Sequence, residues 1–291
     1  MKRFSFKMLA VASAVCAVCF FGCGGGDDNN PADNNGDNVG NNTGGDNGGD
    51  NGGVVDPNNV VNGTFTDNTD DGKTYKTVKI GGQTWMAVNM SKKTADSWCY
   101  GEGGYVSSYI EGNKLKFKTL SSSEIQANCN KYGRLYKWDA AKTVCPSGWR
   151  LPDTADWKRL FTAVGGDSIA GRKLKSTSGW EWDGTSGNGT DDYGFSALPG
   201  GGRLWHEDCY LYNNIECINS YGSVGSEGAW WTATWYGDDL PGFVGVIDMS
   251  MTSYDDAAHF GGGGVRGPIY GEPERGIVDF DFASSVRCIK K

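Results

Sequence analysis

The sequence predicts an α+β fold for most of this chain. Three observations carry that expectation: a few helix signatures in the early part of the folded region, short strand-like segments after Gly200, and long glycine-rich loops between those segments. Aromatic and glycine residues are frequent from about Thr64 to Lys291, a stretch long enough for one large domain with its own core.

The elements follow in chain order. Lys2, Arg3 and Lys7 precede an apolar run over residues 8–21, shorter than the ~20 residues a comfortable membrane span needs. This pattern is an export signal, assigned to residues 1–22. It ends in Phe20-Phe21-Gly22-Cys23, which resembles a bacterial lipobox, with Cys23 as the lipid-bearing residue. Phe20 stands where the motif prefers Leu, and Phe21 where a small residue is usual. An ordinary cleaved signal with a chance cysteine is the alternative. Residues 23–63 are almost entirely Gly, Asn and Asp without aromatic content through Gly53, too polar to offset the entropy of folding. They are expected to be a disordered tether, ~40 residues reaching roughly 35 Å. The Gly-Gly-x-Gly-x-Asp period of calcium-binding β-helices is absent from it.

Residues 64–291 form the folded domain. YKTVKIGGQTWMAVNM alternates apolar and polar positions on both sides of Gly81-Gly82, which predicts a hairpin. In LSSSEIQANCNKYG, Ser121 and Glu124 form a capping box and Gly133 stops a helix. The clearest helix follows VCPSGWRLPD: Trp157, Leu160, Phe161 and Val164 recur at helical spacing, Asp153 or Thr154 caps it, and Gly165-Gly166 ends it. AWWTATW, FVGVIDM and SSVRCIK read as strands.

The net charge is −8; without the three leader cations and the seven tether aspartates, the domain carries −4. That argues against nucleic acid as a partner, since phosphate binding needs a basic footprint. Six cysteines remain beyond the leader and anchor, an even number in an exported chain. The preferred bridges are Cys209 with Cys217, which closes the short polar loop CYLYNNIEC, Cys145 with Cys288, and Cys99 with Cys129. Six cysteines allow fifteen pairings, so the connectivity stays open at this level. No CxxC occurs among these six and the histidines are His206 and His259 alone, so zinc-site spacing is missing.

GRLYKWDAAKTVCPSGWRLPDTADWKRL, AGRKLKSTSGW, YGFSALPGGGR, GAWWTATW and SVRCIK, in this order, resemble the Fibrobacter succinogenes major paralogous domain across roughly residues 71–291. The resemblance implies a C-type-lectin-like domain, disulfide-stapled and related also to the formylglycine-generating enzyme, whose glycine-rich loops hold little regular structure. In such folds a cysteine beside the first main helix commonly bridges to one on the last strand, and Cys145 and Cys288 occupy those places. The formylglycine-generating relatives hold copper with a cysteine pair near the C-terminus. Cys288 stands alone there, so that site is not carried over.

No catalytic residue is assigned. The Gly-x-Ser-x-Gly elbow and the His-Glu-x-x-His helix are absent. GGGGVRG satisfies a GxGxxG pattern but is expected to be a loop, with no strand feeding it. Asp191-Asp192, Asp238-Asp239 and Asp255-Asp256 invite a glycosidase reading, in which carboxyls face each other across ~5 to 9 Å. Solvated turn residues are the preferred reading. No metal or cofactor is assigned, with calcium the alternative: Asp183, Asn188, Asp191 and Asp192 share one glycine-rich loop, and Glu272, Pro273 and Glu274 are similar to the Glu-Pro-x motif of sugar-binding lectins without its Trp-Asn-Asp partner.

Aromatic side chains remain. Trp149, Trp157 and Trp230 are assigned to the core, and alternation puts Trp230 and Trp231 on opposite faces, one of them buried. Trp182, Trp205 and Tyr236 are the expected ligand-contact residues, because flat aromatic faces stack on sugar rings. The expectation is an exported lipoprotein held at the envelope, with the outer membrane compatible with Gly24 after the anchor. It displays a non-catalytic binding domain for plant cell-wall polysaccharide or adhesion. The alternatives are an assembly module for another surface protein and a hydrolase using loop carboxylates.

Overall fold

The computed structural model of the chain describes residues 53–112, 114–204, 220–236, 244–266 and 282–291. The leader, Cys23, most of the tether, Trp205, Cys209, Cys217, Asp238, Asp239 and Glu272 to Glu274 lie outside the described residues.

The N-terminal strands are β1 (Val61–Asp67), β2 (Lys73–Ile80), β3 (Gln83–Met86) and β4 (Ser97–Trp98), followed by the hairpin β5 (Ser107–Glu111) and β6 (Lys114–Lys118). Then come α1 (Ser122–Tyr132), β7 (Leu135–Tyr136), α2 (Trp138–Val144), β8 (Trp149–Arg150), α3 (Thr154–Ala163) and α4 (Asp167–Leu174). A small hairpin, β9 (Glu181–Trp182) and β10 (Thr185–Ser186), leads to β11 (Gly200–Leu204), β12 (Ser220–Val224), β13 (Glu227–Tyr236), β14 (Val244–Thr252) and β15 (Ala258–Arg266). The chain closes with β16 (Ser284–Ser285) and β17 (Ile289–Lys290).

The predicted hairpin is β2–β3, with Ile80 opposite Gln83 across the Gly81-Gly82 turn. Its sheet runs β1-β2-β3-β17-β8, so the last strand sits between the N-terminal hairpin and β8. The other large sheet follows β12-β11-β13-β16-β7-β4, extended by β14 and β15 beyond β13. The expected strand SSVRCIK therefore becomes two short ones, because the chain leaves one sheet after Ser285 and enters the other at Ile289. Arg287, at the crossing, is fully buried and donates to the Asn89 side chain at 2.9 Å and to the Phe195 carbonyl. Burial lowers its pKa to about 9, so it stays charged at neutral pH.

The Ser121–Glu124 capping box forms as read, and of the two candidate caps Asp153 and Thr154 it is Asp153 that caps α3, in a box closed by Asp156. Gly133 receives the chain after α1 at φ 77°. Trp157, Leu160, Phe161 and Val164 are all buried, against Trp85, Trp180, Phe195 and Trp230. Truncating an aromatic in such a cluster costs about 3–5 kcal/mol through lost transfer energy and the cavity left behind.

Several expectations are corrected. The folded body starts before residue 64: β1 begins at Val61, and the Val55 N–H already donates to the Ala163 carbonyl at 2.8 Å. Helices α2 and α4 were not expected, because neither has a side-chain N-cap to announce it. The late strands β13, β14 and β15 are nine or ten residues long rather than short. GGGGVRG is not a loop: its first six residues belong to β15, paired antiparallel to β14 across a register shift, as glycines in a bulged strand allow. Trp230 and Trp231 do face opposite sides, yet both are buried, since β13 carries one core cluster on each face.

Two disulfides are present among the described residues, Cys99–Cys129 and Cys145–Cys288. Cys145 is the C-cap of α2, where the partial negative charge of the helix end disfavours a thiolate. Cys145 is a staple to Cys288, as the preferred pairing has it.

Candidate functional site

The site is built from two short loops carrying exposed aromatic rings. In EWDGTS, Asp183 and Gly184 are the two turn residues of the β9–β10 hairpin, with Trp182 opposite Thr185. Both have positive φ, 49° and 75°, the geometry that a two-residue hairpin turn requires and that Asp-Gly supplies readily. The turn leaves Trp182 at its shoulder, 56 % exposed. Trp180, two residues earlier, is instead buried, and its indole N–H donates to Ser176 Oγ at 3.1 Å and the Ala197 carbonyl at 3.0 Å.

The second loop, residues 253–257, joins β14 to β15 and presents Tyr254, 68 % exposed. The two rings meet with centroids 6.1 Å apart and planes at 71°. An edge-to-face pair of this kind is a favoured aromatic geometry, and its outer faces remain open to a ligand.

Neither loop is free to drift. Lys175 is buried, and its ammonium donates to the carbonyls of Thr252 at 2.8 Å and Asp255 at 2.9 Å. Burial lowers the Lys175 pKa against the opposing pull of Asp256 and Asp255. The Arg172 N–H donates to the Asp256 carbonyl, and the Ser253 N–H to the Ser226 carbonyl. Asp255 accepts from the Ala257 N–H at 2.6 Å and pairs with His259 Nε2 at 2.7 Å. The approach is close enough to require glycine: a Cβ at Gly187 would stand 1.8 Å from the Ser253 carbonyl oxygen, and one at Gly171 would stand 2.2 Å from that of Ala257. Both rings thus project from backbone held by buried contacts.

The residues of the alternative calcium set do not converge on one centre. Asp183 sits in the hairpin turn, Asn188 Oδ1 accepts from the Trp180 N–H at 2.9 Å, and Asp192 faces Lys173 at 3.9 Å. Asp191 accepts from the Ser196 N–H at 2.7 Å and its hydroxyl at 2.6 Å. Asp191 is therefore not the solvated turn residue expected from sequence: burial raises its pKa, while the Ser196 hydrogen bonds and the Arg287 charge oppose that rise. Asp255 likewise serves the loop. Among the described residues, no three acidic, histidine or cysteine side chains converge on a metal-sized centre.

Of the three predicted contact residues, Trp182 is exposed, Trp205 is outside the described residues, and Tyr236 ends β13 with its side chain undescribed. Sequence reasoning missed Tyr254. Its signal is weak, a tyrosine beside Asp255-Asp256, whereas Asp183-Gly184 beside Trp182 is a hairpin-turn signal in the sequence itself.

No curated protein and no solved structure matches the chain. The model of the Fibrobacter succinogenes major domain matches residues 78–290. That span runs from inside β2 to the last strand and takes in both described disulfides, the buried Arg287 crossing and both aromatic loops. The chain belongs to the Fibrobacter succinogenes major domain family.

Proposed function

We propose that this chain is an exported, lipid-anchored envelope protein that displays its folded domain, without catalysis, to bind carbohydrate. Cys23 is the anchor and the Gly/Asn/Asp segment is the tether; a positive n-region, an apolar core and the lipobox-like Phe20 to Cys23 support this half of the reading. A C-type-lectin-like arrangement is supported by the Cys145–Cys288 bridge, which links the end of a helix to the residue before the last strand.

The observation that carries the binding half is the Trp182–Tyr254 pair, two exposed rings in contact on immobilised loops. Their 71° angle makes a corner. A crystalline cellulose face wants coplanar rings, whereas a corner stacks one pyranose on one ring and walls it with the other. The fitting ligand is a soluble chain or a chain end. One stacking contact of this type is worth about 0.5–1.5 kcal/mol beyond area burial. Single-site affinity is therefore expected to be weak, about millimolar, and retention on a polymer to depend on many tethered copies.

A glycan array together with pull-down on soluble xylan and on insoluble cellulose tests this. Binding to soluble glycan is expected, at least tenfold reduced in Trp182→Ala and in Tyr254→Ala with unchanged thermal midpoints. Retention on no glycan removes the carbohydrate reading. Crosslinking on intact cells that yields one defined protein adduct would favour an assembly module instead.

A further inference from the structure

The two described bridges each join a buried cysteine to a part-exposed one, Cys288 to Cys145 and Cys99 to Cys129, but what surrounds them differs. Cys288 is fully buried in an apolar cluster with Met86, Trp149 and Val286. Cys99 and Cys129 instead line an open polar cleft of about 450 Å³, together with Lys73, Lys93, Glu102 and Arg134. Arg134 is only 5 % exposed. Its Nε donates to Ser97 Oγ at 3.0 Å, and its Nη2 to the Ser97 carbonyl at 2.6 Å and to Glu102 at 2.9 Å. These contacts hold Nη1 3.1 Å from Cys99 Sγ and 3.5 Å from Cys129 Sγ.

A neutral disulfide gains little from a guanidinium. A thiolate at the same place gains a charge-assisted hydrogen bond, and a leaving thiol of lowered pKa departs faster. Three of the four charged residues lining the cleft are cationic, so an incoming thiolate meets a favourable field. Cys129 is part-exposed, whereas Cys99 is buried.

The geometry points to the Cys99–Cys129 bridge as a thiol–disulfide exchange site whose substrate is a dithiol, either a reduced protein dithiol or a small-molecule one. The dithiol's thiolate attacks Cys129 Sγ, forming a mixed disulfide. The Cys99–Cys129 bond breaks, and its electron pair stays on Cys99 Sγ beside Arg134. The second thiol of the substrate, deprotonated by water, then attacks the mixed disulfide and releases Cys129 as a thiolate, which takes a proton from solvent. Two electrons have moved from the dithiol, now a disulfide, to the bridge. Helix α1 buries only Tyr132, so opening the bridge removes its one covalent tie to the Cys99 loop.

The full-length protein, treated with graded dithiothreitol or glutathione, quenched with acid and alkylated, tests the site by mass mapping. Cys99 and Cys129 are expected to be labelled while Cys145 and Cys288 remain bonded, and the glutathione adduct to sit on Cys129. Arg134→Gln is expected to slow reduction about tenfold, the rate equivalent of one hydrogen bond to a charged group. Because loss of buried Arg134 can also unfold the loop, Lys73→Gln/Lys93→Gln supplies a surface variant. It is expected to slow anionic glutathione about threefold at low salt and much less at 1 M salt. Equal or earlier opening of Cys145–Cys288, an adduct on Cys99, a folded Arg134→Gln variant reduced at the parent rate, or no reduction short of global unfolding would each overturn the assignment.

Discussion

Asp156 shows how one residue joins local and tertiary structure. It is the third residue of α3 and closes the capping box, with its carboxylate accepting from the Asp153 N–H at 2.9 Å. It is also fully buried and takes hydrogen bonds from Arg150 at 2.8 Å and from Arg159. Burial by itself raises its pKa, but the Arg150 hydrogen bonds, the Asp153 N–H and the two guanidinium charges outweigh that, and the carboxyl is held below its ordinary value. A carboxylate with a lowered folded pKa adds stability above its unfolded pKa and loses it as pH falls through the folded one. Asp156→Asn is expected to cost about 2 kcal/mol at pH 7, a buried-pair figure discounted because both arginines reach solvent. Urea midpoints between pH 6 and pH 3 check the sign: the parent loses this contribution below about pH 4 and the variant has none to lose. Parallel acid slopes in the two proteins would count against the assignment.

The capping role of Asp153 was readable at this scale because a cap is a contact between residues three apart, whereas the Asp156 half of the box came from the structure. The guanidinium partnership was not readable, since Arg150 and Arg159 are ordinary surface arginines in the sequence. Asn89 was equally silent. Its side-chain oxygen receives the Trp230 indole N–H at 2.8 Å and two donors of Arg287, contacts that join segments far apart in the chain.

At the scale of elements, helices with side-chain caps were legible and those without were not. Helices α1 and α3 announce themselves through Ser121 and Asp153, whereas α2 and α4 start at Lys137 and Gly166 with no side-chain cap. They are held by packing: Ala141 and Val144 of α2, and Ala170 and Leu174 of α4, are buried. The same distinction governs the aromatic site. The β9–β10 turn is local chemistry, but the loop carrying Tyr254 is held by Lys175 from the far end of α4. Lys175→Met keeps the stem and removes the ammonium's hydrogen bonds to the Thr252 and Asp255 carbonyls. It is expected to cost about 2–3 kcal/mol locally, with faster amide exchange at Arg172 and Ala257 and glycan binding lowered alongside. Unchanged exchange at both amides would show that Lys175 does not hold the loop.

For the whole molecule, chain closure dominates. The Cys145–Cys288 bridge spans 143 residues and ties α2 to the segment entering β17, the strand that completes the N-terminal sheet. In the chain-entropy account, a loop of that length contributes about 5 kcal/mol and the 30-residue Cys99–Cys129 loop about 4 kcal/mol. A domain has roughly 5–15 kcal/mol of stability in total, so loss of the longer bridge is severe. Cys145→Ala/Cys288→Ala is expected to lower the urea midpoint more than Cys99→Ala/Cys129→Ala does. A larger loss from the second pair would contradict that ordering.

Read alone, the sequence determined the α+β class, the family, the β2–β3 hairpin, the two capped helices and the inner face of α3. Each depends on residues within one turn of a helix or one strand of each other, or on ordered motifs along the chain. The tertiary structure decided which faces are covered. Alternation separates Trp230 from Trp231, yet only the packing of a core on each side of β13 buries both. It also decided which distant groups meet: Trp182 with Tyr254, Lys175 with Thr252, Arg134 with the two sulfurs. Those meetings follow from how the sheets close on each other, and no local periodicity encodes that closure.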